Sequence, residues 1–357
     1  MQLAVIGFPL SGKSTVFRAL TGGKGESAKG GKAALGMVKV PDPRLQPLAD
    51  IFKPKKLTPA EITYLDMPSA AGFGSGKGIE GQFLNELSQV DALVHVVGAY
   101  QDGPQVPTEG AHYQQEISNM EMELAFSDLA ILERRLQRLE ASKKSSRPQE
   151  REQAQREMVL MSRIKAELEA DKPLREQEFS DEESVILRNY QFLTNKPLVV
   201  VLNLSEEQLP QAAALERAAS GEGKRLAIAV CGTLEAELAL MDEADAKEFM
   251  TDAGIKESSL RRMVAISYAT LGLISFLTAG ADEVRAWSIT KGLAAPQAAS
   301  KIHSDIERGF IRAEVVSYDD FMSAGTMAEA RKRGVLRSEG KTYIVKDGDI
   351  INFLFNV

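Results

Sequence analysis

Lys13 and Ser14 close the octapeptide Gly7-Phe8-Pro9-Leu10-Ser11-Gly12-Lys13-Ser14, a G-x-x-x-x-G-K-S run that is built to hold a polyphosphate. Gly7 and Gly12 let the backbone curl until its N–H groups converge on one centre, where phosphate oxygens replace water as acceptors. Lys13 places a point charge on the β- and γ-phosphates, and Ser14 offers its hydroxyl to the Mg²⁺ they carry. Phe8, Pro9, Leu10, Ser11, Gly12 and Thr15 complete the candidate lining. A chance glycine-rich turn is the bland alternative. The apolar run Leu3-Ala4-Val5-Ile6 before it and the helical Thr15 to Leu20 after it supply the strand–loop–helix context that the motif requires.

Asp66 ends an alternating strand, Ala60 to Leu65, on the sheet edge expected to carry the loop. An aspartate there binds Mg²⁺ through water, although a turn or helix cap is the alternative. Lys13 and Asp66 are therefore the catalytic candidates, and Ser14 and Asp66 the metal candidates. No side chain stands out as a general base, so catalysis is expected from positioning a water and neutralising charge.

A third strand, Pro197 to Leu202, delivers Asn203-Leu204-Ser205-Glu206 where related nucleotide folds read the base. Guanine readers carry N-K-x-D there, whose Asp accepts two hydrogen bonds from guanine. N-x-x-E changes that acceptor and drops the Lys, so adenine is the expected base, with the Asn203 amide suited to its Hoogsteen edge. Simple helix capping by Ser205 is the alternative. Leu226 to Val230 reads as the next strand, placing Cys231 and Gly232 beside the base, with Cys231 packed rather than reactive.

Two further features are read as structural. His95 lies inside the apolar run Ala92 to Val97 and is expected to be a core histidine satisfied by a neighbour. Gly76, Gly78 and Gly81 spell G-x-G-x-x-G, but too far past a strand for a dinucleotide fingerprint; a second switch loop fits better, with a helix opening from Phe83.

The elements that must position these groups follow from the bulk of the chain. At 357 residues, 44% hydrophobic and 26% charged, it has room for two or three globular domains. A net charge of −7 argues against a protein that coats nucleic acid with its whole surface. One cysteine excludes an internal disulfide, and three histidines give no zinc pattern, which suits a reducing cytoplasm. The first strand begins within a few residues of Met1, so no leader is expected. Met263 to Ala281 is uncharged but interrupted by Ser, Thr and Gly, and reads as a buried helix followed by a turn rather than a membrane span.

From Gln115 to Asp171, apolar residues fall at helical steps with one slip, Ile117, Met120, Leu124, Leu129, Leu132, Leu136 and Leu139, then Met161, Ile164 and Leu168 after a polar break. Two antiparallel helices with a basic tip are implied. Between Arg134 and Arg147 six bases face one acid, a candidate RNA-contacting patch, with a solvated helix face as the alternative. Beyond a boundary around Gly272 to Gly280, Glu283 to Thr290, Phe310 to Ser317 and Tyr343 to Val345 read as strands and Ala295 to Ile302 as a helix. Asp347-Gly348-Asp349 turns into a final strand, Ile350 to Asn356. This is a small α+β module of grasp type.

Taken together, several stretches resemble the YchF/Obg-like ATPase family. They are the phosphate loop, Pro41-Asp42-Pro43-Arg44-Leu45, Asn203 to Glu206, Phe276 to Gly280, Glu283 to Trp287, Gly309 to Glu314, Asp347-Gly348-Asp349 and Phe353 to Val357. The N-x-x-E and the C-terminal set are specific to that family among its relatives. The resemblance implies an α/β P-loop NTPase domain with a mostly parallel sheet, a helical coiled-coil insertion and a C-terminal β-grasp (TGS) domain. The expected limits are 1–112 and 191–273 for the nucleotide domain, 113–190 for the insertion and 274–357 for the TGS domain. It also implies ATP as ligand with GTP as a secondary one, Mg²⁺, slow hydrolysis, and association with the ribosome or its RNA through the insertion and TGS domain. DNA and membranes are not expected partners. The chain departs from the family at Leu10, where Asn is usual, around Gly36, where the first switch lacks its Thr, and at Asp66-Met67-Pro68-Ser69, where D-x-x-G is usual. These departures favour a second reading, a hydrolysis-incompetent module stabilised by nucleotide.

Overall fold

In the computed structural model, which describes residues 1–22, 33–68, 78–79, 81–103, 111–142, 148–220, 225–252, 255 and 257–356, the apolar runs become strands. In chain order the elements are β1 (Gln2–Ile6), α1 (Lys13–Leu20), β2 (Ala34–Lys39), α2 (Leu45–Phe52), β3 (Lys56–Thr58), β4 (Glu61–Asp66), α3 (Gly81–Gln89) and β5 (Ala92–Val97). They continue with α4 (His112–Ser142), α5 (Pro148–Glu169), β6 (Leu198–Asn203), β7 (Leu226–Val230), β8 (Leu273–Ala279), β9 (Glu283–Thr290), β10 (Phe310–Ser317), β11 (Arg337–Glu339) and β12 (Asp349–Phe355). Shorter helices are given by their residues. The chain divides into two compact units, Met1–Gly36 with Thr63–Met263, and Met37–Ile62 with Val264–Val357. The basic-tip residues 143–147 and most of the second switch loop lie outside the described residues.

The first unit is built on a sheet of order β2-β4-β1-β5-β6-β7, whose pairs β4–β1, β1–β5, β5–β6 and β6–β7 are all parallel. Every residue of β5 and β6 is buried, as expected of parallel strands covered on both faces. The register brings Val5 level with Asp66 and Asn203 level with Val230, so the phosphate loop, Asp66, Asn203 and Cys231 all emerge at the carboxyl edge. Ligands bind at that edge in open α/β sheets.

Helices α4 and α5 run antiparallel, because Arg135 pairs with Glu157 while Lys165 pairs with Glu133. Leu132, Leu139, Met161 and Ile164 fill their seam. The N-terminal part of α4 has a different partner. Met120 and Leu124 join the core formed by Ala4, Ile6 and Leu93, and the buried Asp128 accepts from Leu193 N, Thr194 N and Thr194 Oγ1. Burial pushes Asp128 up to about 6, against the pull of those donors. The expected basic patch is weaker than its sequence count, because both arms of Arg135 go to Glu157 at 2.7 Å.

The second unit carries a mixed sheet of order β11-β10-β12-β8-β9-β3. Pairs β8–β9 and β10–β12 are antiparallel, and β12–β8 is parallel. Phe276, Ile289, Phe310, Val315 and Phe353 pack with the helix Ala295–Ala299 in its core. The structure corrects two expectations here. Tyr343 to Val345 forms only an isolated bridge, Ile344 to Ala294, and the Met263 to Ala281 run is a helix, Ser259–Thr270, followed by β8 rather than by a turn alone. Among the described residues no helix is long and apolar enough to cross a membrane.

Residues 37–62 belong to this second unit through a pairing invisible to local patterning. β3 adds in parallel to β9, with Lys56 opposite Glu283, and Thr58 Oγ1 donates to Glu283 at 2.5 Å. Two distant motifs also meet. Arg44 donates through Nε and Nη2 to Asp42, each at 2.8 Å, and through Nη1 to Asp347 at 2.7 Å, while Asp347 accepts from Ser275 N. These carboxylates, Asp42 first, raise the Arg44 pKa above its already high ordinary value. A planar five-donor fork is the side chain that can satisfy two carboxylates at once, so one arginine joins P-D-P-R to D-G-D in this chain.

Candidate nucleotide site

The loop after β1 contains two left-handed residues, Leu10 with φ 66° and Gly12 with φ 81°. Such a turn aims successive N–H groups at one point and makes an anion-binding concavity. Gly12 is also the N-cap of α1, so the positive end of the helix faces the same centre. No side chain fits at position 12, because a Cβ there would lie 2.0 Å from Asn203 Nδ2.

Lys13 is buried and donates to Asp66 Oδ1 at 2.5 Å and to the Met67 carbonyl, with Asp66 itself fully buried. The structure thus brings the two catalytic candidates into direct contact. Ser14 follows in the first turn of α1, half-buried, with Thr15 beside it. The Ser11 hydroxyl is buried without a hydrogen-bond partner among the described residues. Among the described residues no group of three or more His, Cys, Asp or Glu is placed to hold a metal ion; Mg²⁺ here would take phosphate and water oxygens beside Ser14 and Asp66, as it prefers.

Beside the loop opens a cleft of about 680 Å³, lined by Thr15, Tyr100, Asn203, Leu204, Glu206 and Thr233 among others. Glu206 is exposed in it, and Leu204 is buried with its N–H on Val230 O. Asn203 differs from the sequence expectation. Its Nδ2 donates to Ser11 O at 3.1 Å and its Oδ1 accepts from Gly232 N at 3.0 Å. One donor and one acceptor of the amide are spent on tying the phosphate loop to the Cys231–Gly232 turn. Cys231 is buried at the N-cap of the following helix, with its Sγ 3.3 Å from Thr233 Oγ1.

Sequence reasoning missed Gln208, fully buried, which accepts from Ser205 N and donates to Ala99 O and Gly103 O. The capping pattern Ser205-x-x-Gln208 was the available cue.

His95 is a core residue, but neither ring nitrogen has a partner among the described residues, which corrects the expectation of a satisfying neighbour. Its ring meets Phe8 edge-on at 6.3 Å, and burial, then the charge of Arg225, lowers its pKa from 6.5 to about 3. The unfolded chain therefore takes up a proton between pH 6.5 and 3 that the folded chain refuses. The contribution is fully present above pH 6.5 and is lost as pH falls through that window. His95→Leu is expected to raise stability by about 1–3 kcal/mol, the usual cost of buried unpaired polar groups, and to flatten the acid limb of a plot of Tm against pH. An unchanged acid limb would show that other groups carry it.

The parallel sheet, the Gly-Lys-Ser loop capping α1 and the Asp66 and Asn203 strand ends define a P-loop nucleotide-binding protein of α/β class. Comparison narrows this. The family YchF-GTPase_C, described as a protein of unknown function (DUF933), matches residues 273–356. The chain is 38% identical to the ribosome-binding ATPase YchF of Bacillus subtilis (strain 168) over 369 aligned positions covering 100% of both chains. It is 37% identical to the protein of the same name from Haemophilus influenzae, covering 100% of this chain and 99% of the other. Among solved structures, the Schizosaccharomyces pombe YchF GTPase superposes with a TM-score of 0.85 at 28% identity, over 99% of this chain and 97% of that one. A GTP binding protein from Pyrococcus horikoshii OT3 shares the fold, with a TM-score of 0.57 at 19% identity. This chain belongs to the YchF family.

Proposed function

We propose that this protein binds ATP with Mg²⁺ at the loop Phe8–Thr15, hydrolyses it slowly, and uses the nucleotide to regulate its association with the ribosome in the cytoplasm. The observation that carries the reading is the meeting of Lys13 and Asp66 beside a loop whose left-handed Leu10 and Gly12 lead into the N-terminus of α1. Lys13 would exchange its carboxylate partner for phosphate oxygens when the nucleotide binds, and Asp66 and Ser14 would then hold Mg²⁺, directly or through water. Mg²⁺, when bound, neutralises charge developing on the phosphates. No general base is required of the protein, only positioning.

The name ribosome-binding ATPase carried by its relatives supports the partner, and the antiparallel α4–α5 hairpin and the second unit are the proposed contact surfaces. The proposed functional division keeps 1–112 and 191–273 for the nucleotide, 113–190 for the insertion and 274–357 for the TGS domain. Residues 37–62 serve the nucleotide domain by sequence and the second unit by packing. Purified ribosomes should co-sediment with the protein to an extent that changes with a non-hydrolysable ATP analogue. No co-sedimentation in any nucleotide state contradicts this partner.

ATP is the preferred nucleotide in this reading and GTP the secondary one, because Glu206 stands in the cleft where a guanine reader has Asp. Glu206→Asp is expected to lower the ATP:GTP affinity ratio by about tenfold, one hydrogen bond's worth of discrimination. An unchanged ratio would place base selection elsewhere.

A further inference from the structure

We propose that Tyr100 and Gln101 are positioning residues for the phosphate loop: they hold Leu10 in the left-handed conformation that aims the loop amides inward. The role rests on the nucleotide-binding reading above. Leu10 has φ 66° and an 82% exposed side chain, so no burial of that side chain offsets the strain. Left-handed backbone is unfavourable for a leucine and tolerated by asparagine or glycine. Something outside residue 10 must hold it there.

The Leu10 carbonyl supplies the handle. The Tyr100 hydroxyl donates to this oxygen, and Gln101 Nε2 donates to the same atom at 3.2 Å. A carbonyl oxygen has two lone pairs, and both are engaged.

The two donors stand on an anchored turn that follows β5. Gly98 N donates to Glu116 Oε2 at 3.1 Å, and the Asp102 carboxylate accepts from His112 N at 2.6 Å and Tyr113 N at 3.2 Å. Gln208 bonds the Ala99 and Gly103 carbonyls from the other side. Gly98 itself makes room for the contact. A Cβ there would lie 2.8 Å from Gln101 Nε2 and 3.3 Å from the Leu10 oxygen. The strained residue, its two donors, their platform and the side-chain-free position beside them form one device for fixing the curl of the loop. Without a donor, Leu10 can relax to ordinary negative φ and turn amides away from the anion centre.

Tyr100→Phe removes the hydroxyl and keeps the ring that lines the cleft, so it separates positioning from contact with the base. Affinity for a non-hydrolysable Mg·ATP analogue should be measured by calorimetry in the full chain, in Tyr100→Phe, in Leu10→Asn and in the double variant. Tyr100→Phe is expected to weaken binding about tenfold, with Tm unchanged within about 2 °C. In the Leu10→Asn background, whatever its own affinity, adding Tyr100→Phe is expected to cost less than about twofold, because asparagine holds the left-handed turn unaided. A merely structural tyrosine would not show this rescue. The same loss in both backgrounds, or no loss in the native background, overturns the positioning role. Failure of the unsubstituted chain to bind overturns the nucleotide reading and this role with it, and is visible before any variant is compared.

Discussion

Lys13→Ala is expected to weaken binding of the triphosphate by about 100-fold or more and to remove single-turnover hydrolysis of labelled ATP. An ammonium whose charge-assisted bonds run to phosphate contributes about 1.5–3 kcal/mol per bond. The same substitution has a separate structural consequence. Asp66 is fully buried and ion-paired with Lys13, so the substitution breaks a buried ion pair, at a cost of about 3–5 kcal/mol. The two effects can be pulled apart. Adding Asp66→Asn to Lys13→Ala should recover most of the stability and none of the binding. Hydrolysis that persists in Lys13→Ala would point to a contaminating enzyme, and binding restored in the double variant would deny Lys13 its phosphate.

Asn203→Ala is the second large effect, and it acts on the loop from the opposite side. The substitution strips partners from the Ser11 carbonyl and the Gly232 N–H, both buried positions, at about 1–3 kcal/mol each. Stability should fall by about 2–4 kcal/mol, and affinity for the ATP analogue by at least about tenfold, because the loop loses its tie to the Cys231–Gly232 turn. Asn203→Asp sharpens the test. It keeps an acceptor for Gly232 N but sets a carboxylate oxygen against the Ser11 carbonyl, so it should be no better than alanine for binding. If Asn203→Asp binds normally, the bridge to Ser11 is dispensable. Gly12→Ala should fail similarly, since its new methyl would meet the Asn203 amide at 2.0 Å from a left-handed backbone.

The parts of the site that were legible in the sequence are those whose chemistry is local. The Gly-Lys-Ser loop, the strand that ends in Asp66 and the strand that ends in Asn203 each announce themselves within eight residues, and parallel pairing then brings their ends to one edge. The seam of the α4–α5 hairpin was legible for the same reason, through its three- and four-residue steps. What escaped notice depends on contacts between residues far apart in sequence. The assignment of 37–62 to the second unit rests on Lys56 meeting Glu283 and Arg44 meeting Asp347, pairs that no periodicity can reveal. Asn203 was legible as a candidate site residue, whereas its bonds to Ser11 and Gly232 were not, since composition cannot place residues so far apart in contact. Tyr100 and Gln101 carry no motif at all; only the positive φ of Leu10 shows that a holder is needed. Tyr343 to Val345 misled because its β-forming residues make a single bridge in a turn-bound stretch.

The most direct test of the nucleotide site is calorimetric titration of the purified protein with a non-hydrolysable ATP analogue and then its GTP counterpart, each with and without Mg²⁺. The expected result is tight binding of the ATP analogue that depends on Mg²⁺, with the GTP analogue clearly weaker. Equal binding of the two analogues, or binding of neither, would contradict an adenine-selective phosphate site built from Lys13, Ser14, Asp66 and Glu206.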